Sequence, residues 1–146
     1  MHVHIVFGVK YRRALLAPAW RHEVFAYISK TIEAEGHKPL AVNGVTDHIH
    51  LALGMRPVQA ACELVQRVKQ SSSRWINDAG LTAGKFAWQE GYAVIGFSKS
   101  HLPPVLEYIA GQEAHHQTIS FRDEYHHLLR VNGIEFEEKY TFHDPE

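Results

Sequence analysis

A single cysteine, Cys62, stands among 146 residues, which excludes an intrachain disulfide framework and any metal site built on paired thiolates. Long apolar runs are missing: none approaches the roughly 20 consecutive residues of a membrane-spanning helix. The Met-His-Val-His start lacks the charged-then-apolar layout of a secretory signal. A cytoplasmic protein with no membrane partner is expected. Excess charge is missing too. Fifteen Lys/Arg against sixteen Asp/Glu leave a net charge of −1, which excludes a protein that holds nucleic acid by bulk positive charge. Ten glycines and six prolines are too few for collagen-like or low-complexity chains, and 45% hydrophobic residues suffice for a packed core. With no repeat and no linker-like stretch, residues 1–146 read as one domain.

The charge that is present is unevenly placed. Residues 1–106 carry 12 Lys/Arg and 7 Asp/Glu, whereas residues 107–146 carry 3 and 9. The cations bunch at Lys10, Arg12, Arg13 and Arg21, and again at Arg67, Lys69, Arg74 and Lys85. A local phosphate-binding face on a neutral protein fits this distribution, as does an ordinary solvated surface. Histidine is abundant, at twelve. Only His2/His4 and His48/His50 have the two-residue spacing that brings both rings to one face of a strand.

His2 to Val9 reads as a first strand closed by Lys10-Tyr11-Arg12-Arg13. Trp20, Val24, Tyr27, Ile28 and Ile32 recur at helical spacing between Pro18 and Gly36. Leu40–Val45 and His48–Leu53 read as strands joined by a turn at Thr46-Asp47. Pro57 opens a second helix with an apolar stripe through Leu64, Val68, Trp75 and Ile76. Phe86–Phe97 reads as a fourth strand, interrupted at Gln89-Glu90-Gly91. A third helix is expected at about 102–117, its prolines Pro103 and Pro104 tolerated in a first turn. A last one is expected at about 121–131, with Ser120 and Asp123 placed as a capping box and Gly133 as its stop. The predicted class is α+β: an antiparallel sheet in the ferredoxin-like (split β-α-β) order β-α-β-β-α-β, followed by two C-terminal helices.

In Asp47-His48-Ile49-His50-Leu51-Ala52-Leu53 the apolar residues face one way while His48 and His50 face the other. Two neutral imidazoles so placed can share a divalent cation. Asp47 either orients an imidazole from behind or makes the turn. On the third helix, Tyr108 and Gln112 lie one turn apart on one face, while Leu102, Leu106 and Ile109 supply the packing face. A tyrosine phenol is a usable nucleophile towards a phosphodiester where a cation neutralises charge at phosphorus, and an amide oxygen such as that of Gln112 can complete its coordination. For His115 and His116, favourable placement at a helix C-terminus is the preferred reading.

Asp47-His48-Ile49-His50-Leu51-Ala52-Leu53 resembles the His-hydrophobic-His motif of HUH nucleases. Tyr108-Ile109 with Gln112, followed by His115-His116, resembles the nucleophile helix of the single-tyrosine HUH transposases of small bacterial insertion sequences, relatives of the REP-associated tyrosine transposases. His4–Phe7 running into Lys10–Arg13, Phe86–Tyr92, and Ser120–Tyr125 through Gly133-Ile134 and Tyr140 resemble further segments of that family, in the same order. Gly111, between the tyrosine and the glutamine, and Pro103-Pro104 depart from its pattern.

The resemblance implies a chemistry. His48, His50 and Gln112 would hold Mg2+ or Mn2+ against a phosphate of hairpin-bearing single-stranded DNA. Tyr108 would attack it, releasing a 3′-OH and leaving a 5′-phosphotyrosine that a later 3′-OH reverses. A homodimer is implied, with the His pair of one subunit working with the tyrosine helix of the other. Lys10, Arg12 and Arg13 would meet backbone phosphate. Tyr11, Trp75 and Trp88 are able to stack on unpaired bases, although Trp75 on an apolar stripe and Trp88 in a strand read as core. A water-activating, metal-dependent single-strand nuclease would use the same His pair, and a domesticated DNA-binding or processing protein would keep the same fold.

Overall fold

The structure, a computed structural model, describes residues 1–133; the resemblance expected at Ile134 and Tyr140 lies outside the described residues. Strand β1 (His2–Gly8) is followed by α1 (Arg21–Ala34), β2 (Lys38–Gly44), β3 (His48–Gly54), α2 (Ala61–Asp78) and β4 (Ala93–Phe97). Helices α3 (Leu102–Ala110), α4 (Gln112–His115) and α5 (Phe121–Val131) complete the described chain. The four strands form one antiparallel sheet in the order β2-β3-β1-β4, as the α+β reading requires.

Alternation along the two central strands sorts their side chains. Val3, Ile5 and Phe7 of β1 and Ile49, Leu51 and Leu53 of β3 point to one face, where Val24, Ile28 and Ile32 of α1 and Leu64, Val68 and Ile76 of α2 bury them. Each such side chain stabilises the fold by about 1.5–3 kcal/mol on leaving water. The other face carries His4, Val6 and Gly8 opposite Ala52, His50 and His48. It too is covered. Helix α3 lies against β2 and β3, and Phe121, Tyr125 and Leu129 of α5 pack on Val6 and Ala93. Three histidines, an alanine and a glycine cannot form an apolar core, so what lies between α3 and α5 is polar and buried.

Two elements differ from the sequence reading. The expected strand at 86–97 is regular only from Ala93, with Trp88 making an isolated bridge to Val9. Side chains of α2 take over the backbone groups that a strand ladder would use. The Asn77 amide exchanges two hydrogen bonds with the backbone of Phe86 (3.0 and 2.8 Å), and the Lys69 ammonium donates to the carbonyls of Gln89 and Gly91 (both 2.8 Å). Gly91 sits at φ +86°, closed to most side chains. The expected helix at 102–117 is divided at Gly111 into α3 and α4, with Pro103 and Pro104 in the first turn. Ser120 caps α5 as expected, its hydroxyl accepting from the Asp123 N–H at 3.2 Å, and Gly133 leaves it at φ +70°.

Candidate metal and nucleophile site

His48 and His50 are fully buried beneath α3, α4 and α5. Their back nitrogens are engaged. His48 Nδ1 is 2.7 Å from Asp47 Oδ1, and His50 Nδ1 is 2.8 Å from Nε2 of His4. Asp47 therefore orients an imidazole, one of the two roles its position allowed. With each Nδ1 held from behind, both Nε2 atoms point into the same space.

Helix α3 brings the phenol to that space. Ile109 buries itself against the sheet, and the Asn43 amide on β2 donates to the Ile109 carbonyl at 2.8 Å. One residue back, Tyr108 turns towards the histidines, its ring centroid 5.7 Å from that of His50 and 6.2 Å from that of His4. One turn on, Gln112 is fully buried with its amide oxygen 3.2 Å from His48 Nε2. The chain bends at Gly111 without losing the i, i+4 relation: the Gln112 amide lies 3.4 Å from the Tyr108 carbonyl.

The centre of the cluster is Glu124, a residue the motifs do not reveal. Its Oε1 lies 3.1 Å from His48 Nε2, 3.0 Å from His50 Nε2 and 2.9 Å from His116 Nε2. Its Oε2 accepts from the Gln112 amide at 3.1 Å and from the Tyr108 hydroxyl, and lies 3.3 Å from His115 Nε2. His115 and His116 thus face the cluster and are not merely helix-end residues. Phe121 fixes the near end of α5 by stacking flat on His48, with centroids 4.0 Å apart and planes within 6°. Gly8 opposite His48 makes room: a Cβ there would come within 2.7 Å of the Phe121 ring.

The electrostatics follow from this crowding. Burial opposes a charge on the Glu124 carboxyl, but hydrogen bonds from His116, His48 and His50 overcome it and hold the group far below the usual carboxylate range. Burial likewise opposes an imidazolium at His48, yet hydrogen bonds to Asp47 and Glu124 raise it above the ordinary imidazole value. Burial pushes His50 down to about 4 despite Glu124. Burial, then His50, pushes His4 down to about 3. A neutral His50 carries one ring proton, placed either on Nε2 towards Glu124 or on Nδ1 towards His4 Nε2; the Nδ1–H tautomer is the one that leaves Nε2 free to ligate. Burial, then the adjacent carboxylate, raises the Tyr108 phenol above its ordinary value.

His48, His50, His116 and Glu124 offer three imidazole nitrogens and a carboxylate oxygen, all within 4.8 Å of one another. This nitrogen-and-oxygen set, with two of its imidazoles oriented from behind, could hold a divalent metal ion. His48 and His50 belong to it as the motif indicated. Gln112 is adjacent through its amide oxygen, while His116 and Glu124 are additional. Glu124 had one signal in the sequence: it is the charged member of the otherwise apolar stripe Phe121, Tyr125, Leu128 and Leu129.

The DNA-contact residues expected from the sequence lie outside this cluster. Lys10 follows the end of β1, its ammonium 5.3 Å from the centre of the Tyr11 ring, and Arg12 and Arg13 are exposed in the short 3-10 turn beyond. Because Gly8 pairs with His48, this turn continues from the His48 end of the sheet. On the phenol side, a groove of about 1120 Å³ opens between β4, α3 and α5, its lining including His4, Phe97, Val105, Tyr108 and Leu128. Trp88 is core, as read, and its indole N–H donates to Ser72 Oγ at 2.9 Å. No described helix is long and apolar enough to cross a membrane.

Comparison with known proteins yields a family and a fold. The family described as "Transposase IS200 like" matches residues 1–112. A protein from Deinococcus radiodurans R1 described as a candidate transposase superposes with a TM-score of 0.59 at 22% identity, over 77% of this chain and 90% of its own. A REP-associated tyrosine transposase bound to a REP hairpin superposes with a TM-score of 0.60 at 12% identity, over 97% of this chain and 86% of its own. At these identities the structural likeness establishes the fold. No curated protein matches the chain.

Proposed function

The chain belongs to the IS200-like transposase family, and from that premise we propose that it cleaves and rejoins single-stranded, hairpin-bearing DNA through Tyr108. The observation that carries this reading is one carboxylate. Glu124 receives the Tyr108 hydroxyl on one oxygen and faces the Nε2 atoms of His48 and His50 with the other. Nucleophile and prospective ligands thus converge on one point within the chain.

Bound there, Mn2+ or Mg2+ would neutralise charge on the phosphate and make it electrophilic; a set this rich in imidazole suits Mn2+ better than Mg2+. Tyr108 Oη attacks phosphorus in line. The bond to the 3′ oxygen breaks, the 5′ phosphate is left on the phenol, and the departing oxygen takes a proton to become 3′-OH. Glu124, hydrogen-bonded to the hydroxyl, orients the phenol, whose released proton balances the one the departing oxygen takes up. His48, His50 and Gln112, with His116 and Glu124 beside them, would hold the ion. Attack of a second 3′-OH on the phosphotyrosine reverses these bond changes and rejoins the strand. Lys10, Arg12 and Arg13, beyond the His48 end of β1, hold the DNA backbone by charge. The relative that carries a REP hairpin supports hairpin DNA as the substrate.

The test is to incubate the protein with end-labelled hairpin DNA and Mn2+ and resolve the products on a denaturing gel. A protein–DNA adduct is expected with the native chain and none with Tyr108→Phe. Cleavage that persists in Tyr108→Phe would replace the covalent reading by a water-activating nuclease. Binding without cleavage would indicate a domesticated DNA-binding protein.

A further inference from the structure

The cluster accounts for one face of the sheet. The opposite layer carries a second feature: a trough of about 930 Å³ along α2, lined by Tyr27, Arg67, Arg74, Trp75, Lys85 and Phe86 among others. A smaller hollow of about 250 Å³, lined by Tyr11, Arg13, Gly84 and Lys85, adjoins it, and Lys85 belongs to both. We propose that these two hollows form one track for single-stranded DNA, running from the Tyr11–Arg13 turn through Lys85 onto the Trp75 face of α2. The proposal deepens the transposase reading, on which it rests for DNA as the ligand.

Charge and aromatic surface coincide along this path. Arg13, Arg67, Arg74 and Lys85 are exposed. Arg67 and Arg74 lie two helical turns apart, about 10 Å. Against them stand Asp78 in the trough and Glu35, whose carboxylate is 3.9 Å from Arg67 Nε. Arg13, Arg74 and Lys85 make no ion pair among the described residues, so their charge is available to phosphate. Between the cations, Tyr27 and Trp75 stack on each other with centroids 5.3 Å apart and planes at 18°, both half-buried. Such a pair offers a flat platform to an unpaired base. A duplex keeps its bases within its own stack and gains nothing from the platform, which favours a single strand.

The path is held in shape before any ligand arrives. Asn77 clamps the Phe86 backbone beside α2 through two hydrogen bonds, and the Lys10 N–H donates to the Ala87 carbonyl at 2.9 Å. The residue between the two hollows, Lys85, is therefore next to anchored backbone. Prior ordering of this kind lowers the entropy lost on binding. The track also begins where the chemistry ends, because the turn at Arg12–Ala14 leaves β1 just beyond Gly8, the partner of His48.

The experiment uses the full chain without divalent metal, so that no cleavage enters, and follows the anisotropy of a labelled oligothymidine. Trp75→Leu removes the platform, and Arg74→Ala/Lys85→Ala removes two exposed cations without touching the core. Each variant is expected to bind five- to fifty-fold more weakly than the native chain. The double variant should also reduce the slope of log affinity against log salt by about 1.4, at about 0.7 per lost single-strand phosphate contact. Circular dichroism confirms that each variant is folded. Unchanged affinity in both variants, or a native chain that does not bind oligothymidine, overturns the proposal. A loss seen only with a blunt duplex hairpin overturns it too, by assigning the surface to double-stranded DNA. Because this measurement needs neither Tyr108 nor metal, it stands or falls separately from adduct formation.

Discussion

Replacing Gly8 by Ala adds one methyl group at the floor of the candidate metal and nucleophile site, and the structure fixes what that methyl meets. It would lie 2.7 Å from Phe121 Cε2, 3.2 Å from Gln89 Oε1 and 3.4 Å from the Asp47 carbonyl. Carbon atoms rest at about 3.5–4.0 Å, so the Phe121 ring must withdraw by about 1 Å. It has little freedom to do so. The ring lies flat on His48 and edge-on to Tyr125, with only 5% of the residue exposed. Overpacking of this kind costs about 1–3 kcal/mol. The intrinsic advantage of Ala over Gly within a strand offsets about 0.5–1 kcal/mol of that. A net loss of up to about 2.5 kcal/mol, centred near ~1 kcal/mol, in urea unfolding is expected. Since Glu124 lies three residues beyond Phe121 on α5, Mn2+ affinity should fall as well. Adding Phe121→Leu shortens the clashing side chain, so the double variant should lose less than the sum of the single losses, by about 1 kcal/mol or more. A Gly8→Ala protein more stable than the native one, or strictly additive losses in the double variant, would refute the reasoning.

Removing either group that holds an imidazole from behind, in Asp47→Ala or His4→Ala, should weaken Mn2+ binding by about 10- to 100-fold in calorimetric titration while both ligands remain. Gly111→Ala should raise stability by about 0.5–1 kcal/mol in thermal unfolding, because the backbone there is at φ −89° and the added Cβ would stand 3.4 Å from the Glu107 carbonyl, an ordinary contact; the adduct should still form. Where tyrosine and histidines act within one chain, mixing Tyr108→Phe with a His48→Ala/His50→Ala variant restores no adduct on the denaturing gel; full complementation would mean that they meet across a subunit boundary.

Much of this arrangement is legible in the sequence because it is periodic. Alternation in β1 and β3 announces which residues face the core, and it places His48 with His50 on the other face before any coordinates exist. Tyr108 and Gln112 are readable for the same reason, one helical turn apart. The elements that misread are those in which a distant side chain does the backbone's work. Nothing near residues 86–91 says that Asn77 and Lys69 will satisfy their peptide groups, so a strand is the natural reading of that aromatic stretch. The bend at Gly111 is local and could be read from the glycine itself.

Glu124 was hidden by a different mechanism. A glutamate in the first turn of a capped helix has a sufficient local explanation, since an acidic residue there complements the helix dipole. That explanation predicts an exposed side chain, whereas this one is 2% exposed. What overrules it is the sheet face beneath. His48, His50 and His4 put buried polar atoms where no apolar helix face can satisfy them, and a fully apolar α5 would leave them stranded. A carboxylate in the apolar stripe of α5 answers that need, and it reaches the phenol with its other oxygen. The demand comes from β1 and β3 and the response from residues more than 70 positions later, so neither segment read alone discloses it. The rule that follows is specific: where a strand turns two histidines inward, the helix that covers it should be searched for the one charged residue its apolar stripe does not need.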